Sequence, residues 1–291
     1  MEKHNKIHWK KGLDITPEIL IASDNYHIAE RNLLGRFFAF RLYGILPGRK
    51  FYIEKDIDNN NVYIKNLECF AITNDGYIIN IQRDTPFSKE LSLKEAMGAE
   101  LYVILTVDPY AITPEYNLAL KRVGETIENG IPVLKIYKNN QCWEIDNNYI
   151  PPSIALYSVD TLKQQYSGIK NRLSHITEKL PENDMICIQA MLLKLELDNY
   201  CLQESPQELV SLLKKICWTL KLHLKTSKRM NELPDAEKFI EEQYNHNDIE
   251  KTLRLGVDSL AEIDRKIDEK PIEPEPVVEK EEEPEEIEIK V

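Results

Sequence analysis

The stretch Tyr149-Ile150-Pro151-Pro152 separates two kinds of hydrophobic spacing, and the fold follows from what lies on either side of it. Upstream, from about residue 50 to 146, the period is mostly two. Leu101, Val103, Leu105 and Val107 alternate with Tyr102, Ile104 and Thr106, the pattern of a strand packed on both faces. Asn74-Asp75-Gly76 lies between Leu67-Glu68-Cys69-Phe70-Ala71-Ile72 and Tyr77-Ile78-Ile79-Asn80-Ile81, where residues tolerant of positive φ predict a hairpin. A second hairpin is predicted at Lys138-Asn139-Asn140, joining strands over 133–137 and 142–145. Short strands with turn signals between them predict an antiparallel sandwich or barrel.

Downstream the period becomes helical, and the Pro-Pro step sets a domain boundary near residue 150. Leu162, Tyr166, Ile169, Leu173, Ile176 and Leu180 recur at alternating spacings of four and three, an unbroken a/d seam ended by Pro181. Ile188, Leu192, Leu195, Asn199 and Leu202 repeat that spacing in a second helix. A third opens at Ser205-Pro206-Gln207-Glu208, a capping serine followed by proline at the first helical position, and runs through Leu209, Leu213, Ile216 and Leu220 to about 228. Spacing alone leaves open whether the first seam folds into a bundle of the same chain or meets the same seam of sister chains in a stalk. Residues 235–268 read as one or two further helices, with Ile249, Leu253, Leu260, Ile263 and Ile267 on one stripe. The Pro/Glu segment 271–291 has too little apolar surface to offset the entropy of ordering it, so disorder is expected there.

The fold class is therefore α+β: an N-terminal antiparallel β-sandwich over 1–150, a helical stalk or bundle over 151–228, a short helical region over 229–270 and an acidic tail. With 291 residues the chain is long enough to bury a sizeable core. Its 37 basic and 49 acidic residues give a net charge of −12, unfavourable for binding nucleic acid or anionic lipid. Nine Glu and two Lys in 271–291 supply −7 of that charge, leaving −5 for the rest. No uninterrupted apolar run approaches the ~20 residues that span a bilayer. The first residues lead into no apolar signal core, so a cytoplasmic protein is expected. The five cysteines are widely spaced and form no CxxC pair, which predicts buried thiols.

The chemistry-bearing patterns are sparse. No Gly-rich phosphate loop, Walker lysine or nucleophile elbow is present. His4 and His8 share a helical spacing without further ligands in register. Asp56-Ile57-Asp58-Asn59-Asn60-Asn61 has oxygen ligands at alternate positions, but Asn61 stands where a calcium loop needs glycine and Leu67 where it needs glutamate, so a polar hairpin loop is expected. Glu241-Glu242 reads as a solvated helical pair. No enzyme, metal or cofactor is expected.

The N-terminus carries a resemblance. Ile7-His8-Trp9-Lys10-Lys11-Gly12-Leu13-Asp14-Ile15-Thr16-Pro17-Glu18 describes a short anchored strand turning into a helix, followed by Asp24-Asn25-Tyr26 and later Tyr43-Gly44-Ile45-Leu46-Pro47. This arrangement resembles the opening of the TssK family of type VI secretion baseplate subunits. The Asn74-Asp75-Gly76 turn, the Ile150-Pro151-Pro152 step and the Ser205-Pro206-Gln207-Glu208-Leu209 helix start are similar to that family in the same order, over about residues 7–228.

The resemblance implies a fold related to phage receptor-binding proteins and a homotrimer held by the stalk seam Leu162, Tyr166, Ile169, Leu173, Ile176 and Leu180. It implies an adaptor role linking TssF and TssG of the cytoplasmic baseplate to membrane-complex proteins at the inner membrane. Trp9, Gly12, Leu13, Pro17, Tyr43 and Gly44 are then the baseplate-docking candidates. The region after 228 is shorter than the globular head of typical members, so the membrane-side contact falls to a reduced head and the acidic tail. Rival expectations are a phage tail-like receptor-binding protein and a hydrolase with a site in the β-domain.

Overall fold

The computed structural model describes residues 6–39, 43–84, 86–108, 110–111, 114–181, 184–200, 204–227 and 232–269, so the acidic tail and Leu202 lie outside the described residues. A long helix, α1 (Pro17–Ala39), precedes the strands β1 (Gly44–Ile45), β2 (Tyr52–Ile57), β3 (Asn61–Ile72), β4 (Ile78–Ile81), β5 (Lys89–Ser92), β6 (Glu100–Asp108), β7 (Glu115–Arg122), β8 (Gly130–Asn139) and β9 (Cys142–Ile145). A 3-10 turn at Leu156–Ser158 leads into α2 (Asp160–Glu178), α3 (Met185–Asp198), α4 (Pro206–Thr226), α5 (Pro234–Glu241) and α6 (Ile249–Asp268). The architecture is α+β, as the change of period predicts.

The strands form two antiparallel sheets. In the first, β3 is a spine: β1 and β2 pair along it, and so do β4 and β5. Opposite Glu54 and Lys55 of β2 stand Asn66 and Ile64, which makes Lys65 an extra residue in β3. This bulge re-phases the inward side, so burial steps from Val62 and Ile64 to Leu67, Cys69 and Ala71. The second sheet has the order β7-β6-β8-β9. Central β6 is buried on both faces, Leu101, Val103 and Leu105 on one and Tyr102 and Ile104 on the other, which its unbroken apolar run requires. Side chains of both sheets share one core, the interdigitation expected of a sandwich.

The predicted turns are present with one shift. Gly76 takes φ +84 between β3 and β4, and its amide donates to Thr73 O at 2.9 Å. The second hairpin turns at Asn140 and Gln141, φ +47 and +72, one residue later than expected. The Asp56–Asn61 string is a polar turn whose Asp58 Oδ1 accepts the amides of Asn60 and Asn61, both at 2.7 Å. Residues 6–16 hold no strand: Leu13 N donates to Lys10 O at 3.1 Å across a turn in which Gly12 has φ +88. Of the cysteines, Cys69, Cys187 and Cys217 are buried as expected, whereas Cys142 is exposed and Cys201 lies outside the described residues.

Helix α2 packs on α3 and α6, and α4 on α3, α5 and α6. The start of α4 is a capping box: Ser205 Oγ accepts Glu208 N at 3.3 Å while Glu208 Oε2 accepts Ser205 N at 3.1 Å. One core runs without a break from the sandwich through Leu156 and Val159 into this bundle, and Tyr102, Ile104 and Ile127 form a smaller cluster on the other face of β6.

Candidate interaction surfaces

The N-terminal candidates divide into two groups. Trp9, Gly12, Leu13 and Pro17 are exposed, Trp9 to 50 %. They lead into α1, where Thr16 Oγ1 accepts Ile19 N at 3.4 Å and Pro17 occupies the first turn, which needs no amide donor. Helix α1 is apolar on several sides at once, so one body surface cannot cover it, and Leu20, Ile21, Leu33 and Leu34 remain exposed. Its C-terminal half is held over the β3–β4 turn by a glycine–glycine approach. A Cβ on Gly35 would lie 2.3 Å from Gly76 O, and Arg36 Nε donates to Asp75 O at 2.7 Å. Between α1 and the sheet a cleft of about 900 Å³ is lined by Ile21, Ile28, Phe70, Ile78, Tyr110 and Tyr116.

Tyr43 and Gly44 belong elsewhere, and their assignment as docking residues is corrected by their contacts. A Cβ on Gly44 would lie 2.1 Å from Pro152 O, and Ile45 N donates to that carbonyl at 2.7 Å, so β1 is clamped to the Pro-Pro step. The Tyr43 hydroxyl donates to Asn247 Oδ1 at 2.6 Å. His246 Nε2 lies 2.6 Å from Tyr43 O and its Nδ1 lies 3.0 Å from Tyr244 Oη, an arrangement satisfied when Nε2 carries the proton and the Tyr244 hydroxyl donates. Burial holds the His246 pKa below its usual value and raises that of Tyr43.

Beside this group Tyr149 Oη donates to Asn247 O at 3.1 Å, and Lys135 pairs with Asp248 at 3.2 Å and Glu100 at 3.1 Å. Burial alone would lower the Lys135 pKa, but Asp248 and Glu100 outweigh it and hold the ammonium charged. These residues join the sandwich to the α5–α6 connection and form an internal latch.

The seam Leu162, Tyr166, Ile169, Leu173, Ile176 and Leu180 is buried within the single chain, filled by neighbours from α3 and α6. Tyr166 Oη also donates to Leu197 O at 2.7 Å, tying α2 to the end of α3. The expectation that these side chains meet sister chains is corrected accordingly: they fold into the bundle.

Helix α3 supplies the outward face instead. Its core side is Cys187, Ala190, Leu193 and Leu197, and the spacing read as a seam falls largely on the other side, where Met185, Ile188, Leu192 and Leu195 stand exposed, Met185 to 78 % and Leu192 to 56 %. On α4, Trp218 and Leu222 are exposed as well, Trp218 to 57 %. Sequence reading passed over Met185, Trp218, Leu33 and Leu34. The available signal was that α1 and α3 are apolar around most of their circumference, more than one core contact accounts for.

Neither a protein-family model nor a curated protein matches this sequence. Solved structures do. TssK from the type VI secretion system of EAEC, in complex with a nanobody, superposes with a TM-score of 0.58 at 15 % identity, covering 84 % of this chain and 68 % of that one. A chain of the type VI secretion system TssK-TssF-TssG baseplate subcomplex gives a TM-score of 0.57 at 15 % identity, covering 91 % and 99 %. A crystal structure of TssK gives 0.60 at 13 % identity, covering 89 % and 70 %. The chain has a TssK-like fold. No helix among the described residues is long and apolar enough to cross a membrane.

Proposed function

We propose that this chain is a structural component of a type VI secretion baseplate, a cytoplasmic homotrimeric adaptor that makes and breaks no covalent bond. In this reading the exposed N-terminal segment and α1 dock on TssF and TssG. The α3 face with Trp218 and Leu222 of α4 holds the trimer, and the region after residue 228 reaches membrane-complex proteins. The observation that carries it is a TssK-like fold that leaves two apolar helix faces uncovered. An apolar side chain fully removed from water contributes on the order of 1.5–3 kcal/mol, so covering each face favours association. A trimer presents each docking surface three times, and linked contacts that are individually weak then hold together.

The test separates the two faces. The purified chain is expected at three times 33.9 kDa by native mass measurement, and to capture co-expressed TssF and TssG of its own system. L33D/L34D is expected to stay trimeric and lose capture, and L192D/L195D to become monomeric while keeping its circular dichroism. A monomeric parent protein, or capture undiminished by L33D/L34D, overturns the reading.

A further inference from the structure

We propose that Asp184, Cys187 and His223 form a binding site for a single divalent cation of the zinc class, bridging the start of α3 to the end of α4. The proposal stands independently of the baseplate reading.

Asp184 is the N-cap of α3, and its Oδ1 accepts Ile186 N at 2.8 Å. That bond fixes the carboxylate so that Oδ2 faces His223 Nδ1 at 3.0 Å. Cys187 lies three residues further on, on the same face of the helix, and its Sγ is 3.3 Å from the same Nδ1. The three ligand atoms all lie within 4.8 Å of one another. A tetrahedral ion with Zn–S of ~2.3 Å and Zn–N or Zn–O of ~2.0 Å separates its ligand atoms by roughly 3.3–3.6 Å, close to the two distances to His223 Nδ1, so side-chain rotation of Asp184 and Cys187 would complete the triangle.

The convergence on one nitrogen is informative. A nucleophile–histidine–carboxylate relay needs its two partners on opposite ring nitrogens, whereas here thiol and carboxylate share Nδ1. Cys187 is fully buried and His223 nearly so, which removes the thiol from any substrate. A cation would take the place of the protons through which the imidazole and the thiol bond to the Asp184 carboxylate. Thiolate and imidazole select zinc over calcium or magnesium, which take oxygen ligands. The Asp184 side chain is 32 % exposed, so water has access to the fourth position.

Without metal the thiol keeps its proton, because burial and the Asp184 charge push Cys187 up to about 11. Metal uptake therefore displaces about one proton per ion near neutral pH.

The experiment uses the full chain, chelator-stripped, with Cys142→Ser and Cys201→Ser so that Cys69, Cys187 and Cys217 are the remaining thiols. Titration with Co²⁺ alone is expected to give a thiolate-to-cobalt charge-transfer band saturating at one ion per chain, displaced by Zn²⁺. Zn²⁺ alone is expected to raise the melting temperature with concentration. Cys187→Ser should abolish the band and the shift. Asp184→Asn, which keeps the helix cap, should weaken binding by about tenfold or more with native circular dichroism. No band in the parent protein, or the same band in Cys187→Ser, overturns the site and leaves a hydrogen-bonded plug between α3 and α4.

Discussion

Tyr102 shows what a single atom in the interior does. Its ring is 1 % exposed and tilted against Tyr149 at 5.8 Å, yet its hydroxyl is buried with no hydrogen-bond partner among the described residues. Tyr102→Phe removes an unsatisfied polar group without opening a cavity and is expected to raise stability by about 1 kcal/mol, measured by chemical denaturation. His246 has the opposite character, a buried polar group with both ring nitrogens engaged. Burial depresses its folded pKa, so below about 6.5, its ordinary value, the unfolded chain takes up a proton that the fold resists. This contribution is complete above that pH and is lost as pH falls. Between pH 7.5 and 5.5 the parent protein is expected to lose more melting temperature than His246→Gln; equal losses would show that the folded state takes up the proton as readily as the unfolded chain. At this scale the sequence was least informative. Tyr43 and Gly44 stood in a motif that pointed outward by resemblance, while their partners Asn247, His246 and Pro152 lie far along the chain, and no local pattern encodes a contact across 204 positions.

The elements were legible in proportion to how one-sided their apolar patterns are. Helix α4 has a capping box, an N-terminal proline and one apolar stripe, and it begins where the sequence placed it. The strand β6 is apolar on both faces and is accordingly central. Helix α3 is harder to read because two stripes compete, and the large side chains Ile188, Leu192 and Leu195 carry the regular spacing without forming the core side. Packing against α4 instead took the side bearing the small Cys187 and Ala190, which allow close approach. Helix α1 illustrates attachment through absence of side chains. Its seat on the β3–β4 turn needs Gly35, since any Cβ there would overlap the Gly76 carbonyl. Gly35→Val is expected to release α1, seen as faster amide exchange across residues 17–37 with β6 unchanged; slow exchange throughout would mean that the Arg36–Asp75 contacts suffice.

At the scale of the whole molecule, sandwich and bundle share a core and are joined again by the latch. Lys135 is the charged member of that joint, 12 % exposed and paired with Asp248, itself 6 % exposed. Lys135→Ala leaves the Asp248 carboxylate buried without its cation and is expected to cost about 3–5 kcal/mol. It should also split one thermal transition into two as the halves lose mutual support; a single unshifted transition would argue that the shared apolar core alone couples them. The manner in which strands and helices are joined was not readable from the Pro151-Pro152 step, because that step is a pairing partner for β1 as well as a spacer. The clamp has a mechanical corollary. Residues 43–45 are gripped on one flank by Pro152 and Ser153 and on the other by Asn247 and His246 while β1 also pairs with β3, so tension applied through the N-terminus is shared between the first sheet and the helices.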